Sequence, residues 1–276
     1  MLAKLVAGVV GAAALAGAGA APPVFQPPLR YYLALGDSLT FGIQPTKTDA
    51  GLPPSGFRTG FVDVLAARLR ALAPKLRVVN YGCPGESTRT FVAGGCPWLA
   101  GARRLHDPHR GPQLAAALAF LRAHPGQVSP ITVQLGGNDV TAFGEACHQD
   151  LACARRRAPA ALAAFAARLG SILGRLRGAA PKAEIIVVGI WNNDLDRPRQ
   201  TDPLYQEVNS TIATVGAGAG GRFADLFPLF DPPGSLARRK ARICTLTFLC
   251  SRGDGHPTDA GYRAIAGTVF RASGYS

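Results

Sequence analysis

The sequence predicts an α/β fold, a parallel sheet covered on both faces by helices. Five apolar runs of strand length recur at 30–35, 76–81, 131–135, 184–190 and 222–227. Helical stripes of apolar residues lie between them. The 276 residues are 47% apolar, enough for one sizeable core, so a single domain is the default. Strands buried on both faces read as continuous apolar runs, and strand–helix alternation is the pattern of parallel crossovers.

The chain starts with a segment unlike the rest. Met1-Leu2-Ala3-Lys4 is a short basic start, residues 5–20 are only Ala, Val, Gly and Leu, and Ala18-Gly19-Ala20 fits a small-x-small cleavage site. Residues 1–20 are therefore expected to be a secretory signal peptide. The alternative is an uncleaved anchor, but the run falls short of the ~20 residues that span a bilayer. Residues 21–28 then form a stiff Pro-rich lead, and 29–276 form the one domain.

The first strand, 30–35, runs straight into Gly36-Asp37-Ser38-Leu39. Phe61, Leu65, Leu69 and Leu72 make the first long helical stripe. The strand at 76–81 opens a loop reading Asn80-Tyr81-Gly82-Cys83-Pro84-Gly85-Glu86-Ser87-Thr88. The segment 91–111 is a long loop, and Pro112 opens a helix carrying Leu114, Leu118 and Leu121. The strand at 131–135 is followed by Gly136-Gly137-Asn138-Asp139. A third stripe holds Leu162, Phe165, Leu169, Ile172, Leu173 and Leu176, and the strand at 184–190 follows it. Gly216 to Gly221 matches Gly-x-Gly-x-x-Gly, but it follows a helix and precedes the strand at 222–227, the reverse of a dinucleotide site. The stretch 232–253 has no clear periodicity and reads as an excursion stapled by two cysteines. Thr258 caps a last helix with Tyr262, Ile265, Ala266, Val269 and Phe270. Ligands of open parallel sheets bind beyond the carboxyl ends of the strands, where Ser38 and Asn138 fall. The irregular segments 41–58, 91–111 and 232–253 are expected to wall the pocket.

The formal charge of +13 comes mainly from scattered arginines, with runs at 103–104, 155–157 and 238–240. No aromatic residues interleave with these runs, so no nucleic acid is expected as a partner. A solvated basic surface is the plain reading, and attraction to an anionic envelope surface is compatible with it. The six cysteines, Cys83, Cys96, Cys147, Cys153, Cys244 and Cys250, include no Cys-x-x-Cys. Behind a signal peptide they read as disulfides formed outside the cytoplasm, paired in sequence order, the alternative being that some are free and buried. His106 and His109 lie in a basic loop without further metal ligands and are expected to sit at the surface, with no metal or cofactor.

A serine hydroxyl needs a neighbouring base to become a nucleophile. His256 is the candidate, since its unperturbed pKa lies near neutrality, and Asp254 is the candidate to hold its Nδ1–H. The oxyanion of acyl transfer needs preorganised donors. The Ser38 N–H, the Asn138 amide and a glycine N–H from the loop at 80–88 are the candidates. No Gly-x-Ser-x-Gly elbow occurs, which disfavours the α/β-hydrolase fold. Asp139 reads as a cap or turn residue.

Gly-Asp-Ser-Leu at 36–39, Asn-x-Gly-x-x-Gly-Glu-Ser at 80–87, Gly-Gly-Asn-Asp at 136–139 and Asp-Gly-His-Pro at 254–257 resemble the SGNH hydrolases, the GDSL-type esterases and lipases. The secreted, disulfide-bearing bacterial members are the most similar. The resemblance implies a three-layer α/β/α sandwich around a five-stranded parallel sheet, flavodoxin-like in topology. It also implies Ser38 as nucleophile, His256 as base, and Ser38, Gly85 and Asn138 as the oxyanion hole. One departure stands out. The family places its acid three residues before the histidine, where this chain has Gly253, while Asp254 is two before. Either Asp254 reaches the ring through a tighter turn, or a backbone carbonyl near Arg252 or Gly253 orients it. The function expected is a secreted, extracellular serine esterase or lipase, monomeric and free of cofactors. It would act on a small-molecule, lipid or polysaccharide ester. A carbohydrate acetylesterase on the same site, and a non-catalytic binding module on the scaffold, are the alternatives.

Overall fold

The computed structural model describes residues 22–101 and 103–275. The expected signal peptide at 1–20 lies outside these residues. The first half runs β1 (Tyr31–Gly36), α1 (Ser38–Phe41), α2 (Pro45–Asp49), α3 (Phe61–Leu72), β2 (Arg77–Asn80), α4 (Thr88–Ala93), α5 (Gln113–Ala123) and β3 (Val128–Gln134). The second runs α6 (Gly137–Ala146), α7 (Leu151–Ala179), β4 (Ile185–Val188), α8 (Pro198–Gly218), β5 (Arg222–Ala224), α9 (Phe227–Phe230), α10 (Leu236–Leu246), α11 (Leu249–Arg252) and α12 (Asp259–Ser273). The five strands fall on the five apolar runs of the sequence.

All strand pairs are parallel, in the order β2-β1-β3-β4-β5. Side chains alternate across the sheet, so each strand feeds two cores. Leu33, Leu35, Ile131, Val133, Ile185 and Val187 face one core, shared with α5, α7 and α8. Tyr32, Ala34, Ile186 and Val188 face the other, shared with α3, α10 and α12. The result is the three-layer sandwich. The chain leaves β1 for β2 on one side and returns to β3 on the other, which opens a crevice over the carboxyl ends of β1 and β3.

One expectation is corrected. The stretch 232–253 is not irregular: it holds α10 and α11. Leu236, Arg239, Ile243 and Leu246 recur at helical spacing, but an arginine occupies one inward position. The buried Arg239 is neutralised by Asp202 and Asp231, each at 2.7 Å, which is the condition for placing a charge in a core. Helix α7, which carries the third stripe, starts at Leu151, eleven residues before Leu162, and passes through Pro159.

The lead at 22–28 is docked. Val24 donates its N–H to Gly220, and the Gln26 carbonyl accepts from Ser129 and Tyr275. Disulfides join Cys83 to Cys96, Cys147 to Cys153 and Cys244 to Cys250. Among the described residues, no helix is long and apolar enough to cross a membrane.

Candidate active site

Ser38 opens α1 directly beyond β1. The turn that presents it is built on Gly36, whose φ is +140° and whose missing side chain would meet the Gln134 carbonyl at 2.1 Å. Only glycine fits such an approach. Asp37 caps α1 by accepting the Leu39 N–H at 2.9 Å. His256 reaches Ser38 from the opposite end of the chain: its Nε2 lies 2.9 Å from the Ser38 hydroxyl.

The turn carrying His256 is shaped by two glycines. Gly253 ends α11 in the left-handed region, with φ +66°, and reverses the chain. Gly255 lies where a Cβ would come within 2.3 Å of Asn193 Nδ2, so the turn closes tightly against the cleft wall. Asp254 Oδ1 then accepts the backbone N–H of His256 at 2.7 Å and lies 2.7 Å from its Nδ1. That hydrogen bond holds the Asp254 pKa below its usual value. An ionised carboxylate only accepts, so the proton sits on Nδ1 and the lone pair of Nε2 faces Ser38. The carboxylate two residues before the histidine therefore reaches the ring, because one oxygen serves both the turn and the imidazole. Thr258 caps α12 immediately afterwards, accepting the Gly261 N–H at 3.2 Å.

Asn138 lies in the first turn of α6. Its Nδ2 donates to the Glu86 carbonyl at 2.8 Å and faces Asp37 Oδ2 at 3.3 Å. Gly85, with φ +87°, precedes Glu86 in the loop after β2. That loop is tied to β1 by the Cys83 N–H, which donates to the Gly36 carbonyl at 2.9 Å. Among the described residues, neither the Ser38 nor the Gly85 backbone N–H has an internal acceptor. Asp139 accepts from the Thr88 N–H at 2.9 Å and meets Arg168 at 3.5 Å. It anchors the start of α4, as a capping residue does.

Four polar residues lie under the site; Asp37 and Glu86 fall within the quoted motifs, while Gln113 and Gln134 carry no sequence signal of their role. Gln113 brackets Gly36, accepting its N–H at 2.7 Å and donating to its carbonyl at 3.0 Å. Gln113 also donates to Glu86 Oε2 at 3.0 Å. The Gln134 amide nitrogen, turned toward Asp37, donates to that carboxyl. Burial raises the Asp37 pKa to about 7, with the Leu39 N–H acting against the shift. Burial raises the Glu86 pKa as well.

The cleft above Ser38 holds about 210 Å³. Its walls are Leu39, Thr141, Ile190, Trp191, Asn193 and Tyr205. The segments at 41–58, 91–111 and 232–253 do not line it, contrary to expectation. The chain after β4 and the start of α8 do so instead, because both rise from the carboxyl edge of the sheet beside β3. His106 is also corrected: it is half-buried, and its Nε2 bonds the Phe41 carbonyl at 2.8 Å. His109 is half-buried against Tyr81.

A sequence model of the GDSL-like lipase/acylhydrolase family matches residues 34–264, from the middle of β1 into α12. The chain belongs to this family. As a GDSL-like acylhydrolase it is a carboxylic ester hydrolase. Comparison with curated proteins gives no match. Solved structures share the fold at low identity. The extracellular lipase from Streptomyces rimosus is 18% identical, with a TM-score of 0.60 over 88% of this chain and 99% of that one. The lipase Lip_vut3 from a goat rumen metagenome is 17% identical, with a TM-score of 0.61 over 89% and 98%. A single-site variant of Axe2, an acetyl xylan esterase from Geobacillus stearothermophilus, is 18% identical, with a TM-score of 0.55 over 89% and 95%. At such identities the likeness of this GDSL-like chain to each of them is one of fold.

Proposed function

We propose that the protein is a secreted serine esterase that hydrolyses carboxylic esters through an acyl-Ser38 intermediate. The observation that carries this reading is the hydrogen-bonded series from Ser38 Oγ to His256 Nε2, at 2.9 Å, and from His256 Nδ1 to Asp254, at 2.7 Å. His256 takes the Ser38 proton as the oxygen attacks the ester carbonyl, and Asp254 keeps the imidazole in the receptive tautomer. The Ser38 and Gly85 N–H groups and the Asn138 amide stabilise the tetrahedral oxyanion. The imidazolium returns the proton to the departing alkoxide. Water then repeats the sequence on the acyl-enzyme and releases the acid. Three disulfides support work in an oxidising, extracytoplasmic compartment.

A second reading, an acetylesterase acting on carbohydrate, is favoured by one observation. The cleft of about 210 Å³ lies below the usual range for ligand pockets, roughly 300–1,000 Å³, and suits a small acyl group. Labelling with a fluorophosphonate followed by peptide mapping tests the chemistry. The label is expected on Ser38, and Ser38→Ala should lose both labelling and ester hydrolysis while keeping its circular dichroism. Wild-type activity in that variant would overturn the proposal. A series of p-nitrophenyl esters from acetate to palmitate separates the two readings, since the acetylesterase reading requires a steep fall in kcat/KM beyond the shortest chains.

A further inference from the structure

Helix α6 stands between two cavities. Gly137, Asn138 and Thr141 face the cleft above Ser38, while Gly136, Val140 and Phe143 face a second cavity of about 430 Å³. The two share no lining residue. No residue of α6 is fully buried, although Val140 on its rear face packs against the core below the cavity. The rear cavity is of ligand-binding size. Its floor is apolar: Val140 and Phe143 from α6, Leu162 and Phe165 from α7, and Leu204 from α8.

The rim is basic. Arg89 of α4 and Arg157 and Arg168 of α7 border the opening. Arg168 is already matched, by Asp139 at 3.5 Å and by Thr88 Oγ1 at 2.9 Å. Arg157 donates to the Ala146 carbonyl at 3.2 Å, and Arg89 makes no side-chain hydrogen bond among the described residues. Among those residues, neither meets a carboxylate. Both are exposed, yet their cavity is apolar beneath them. Arg157 ends the run Arg155-Arg156-Arg157, which the ester site leaves unused.

We propose that this rear cavity binds a long-chain carboxylate. The carboxylate head takes Arg157 at the end of α6, since a guanidinium offers two parallel donors to a carboxylate, and Arg89, near the first turn of α6, adds positive charge to the same rim. The alkyl chain lies along Val140, Phe143, Leu162 and Phe165 and leaves water. A cationic amphiphile meets two like charges at the rim and is excluded. The proposal does not rest on the role given to Ser38, because no residue of the cleft takes part.

The test is calorimetric titration of the full-length protein with dodecanoate, below its micelle concentration. One saturable site is expected. Arg89→Ala combined with Arg157→Ala should weaken binding about 10-fold or more, the effect of losing a charged hydrogen bond. Each methylene removed from the ligand should weaken it roughly 3- to 4-fold. Ala161→Trp, on the cavity side of α7, should abolish binding with the circular dichroism unchanged. Thr141→Trp, on the cleft side of α6, should leave the affinity as it is. No binding to the wild type would overturn the proposal. Binding that survives Ala161→Trp, or that Thr141→Trp abolishes instead, would do so too, by assigning the ligand to the ester cleft or to nonspecific surface. Equal affinity for dodecyltrimethylammonium would remove the role of the rim arginines.

Discussion

One oxygen of Asp254 makes both the turn and the tautomer. It accepts the His256 N–H and the ring Nδ1–H, each at 2.7 Å, so orienting the imidazole requires no further group. Asp254→Asn keeps the turn acceptor but offers Nδ1 an ambiguous partner, and kcat should fall at least ~10²-fold, by analogy with acid loss in a serine protease. Steady-state kinetics with the fold checked by circular dichroism decides this; a kcat within a few-fold of wild type would hand the orienting role to the backbone. Asp37 makes a different prediction. Its folded pKa, raised by burial to about 7, lies above the ordinary aspartate value of about 3.9. The folded state therefore binds this proton more tightly than the unfolded state. The resulting stabilisation is full below about pH 4 and is lost as pH rises through about 7. Asp37→Asn lacks this titration. The Tm of wild type minus that of the variant should fall between about pH 4 and about pH 7 and level off above it, and a constant difference would show that Asp37 is ionised throughout. The meeting of Ser38, Asn138 and His256 at one cleft was legible because each is a distinctive residue type beside a recognisable boundary. Gln113 and Gln134 were not, since a glutamine inside a helix or strand announces nothing about the backbone it will bracket.

Among the elements, the turn between α11 and α12 is the one whose closure the site depends on. Gly255 is the point of closest approach, against an Asn193 side chain whose oxygen is held by Trp191 Nε1 at 2.7 Å. Gly255→Ala should push the turn outward and displace His256 from Ser38. Misplacement by an ångström costs roughly 10²-fold in rate, so kcat should fall by about that much while the urea midpoint moves little. Adding Asn193→Ala removes the obstructing atoms and should recover a large part of the loss. If Gly255→Ala is silent, the turn has slack and its tightness is not what seats the base. The strands were readable because burial on both faces leaves long apolar runs. Helix α10 was not, because Arg239 occupies an inward position and its two aspartate partners are supplied by other elements.

For the molecule as a whole, the sheet sits inside both apolar cores, and the segments above its carboxyl edge form a second group that holds the candidate site. The disulfides belong to the second group: their sequence separations are 13, 6 and 6, and short loops constrain the unfolded chain least. One bridges α10 and α11 just before the His256 turn, and another holds the loop that carries Gly85. Titration with dithiothreitol should therefore lower ester hydrolysis before far-UV ellipticity changes. A simultaneous fall of both signals would instead make the disulfides part of the cooperative core.

The class of the sheet, the strand positions, the grouping of the cysteines and the candidate site residues were all written in the order of the amino acids. Those features follow from composition and local order, because burial periodicity and residue chemistry lie along one stretch of chain. Folding in three dimensions settled what depends on distant segments meeting. It set the strand order that brings Ser38 and Asn138 to one crevice, and it carried Asp254 to the ring across the gap of one residue. It also placed Trp191 and Tyr205, and not the long loops, around the cleft, and it left a basic-rimmed cavity behind α6. Each of these rests on distances between groups far apart in sequence, which no local pattern encodes.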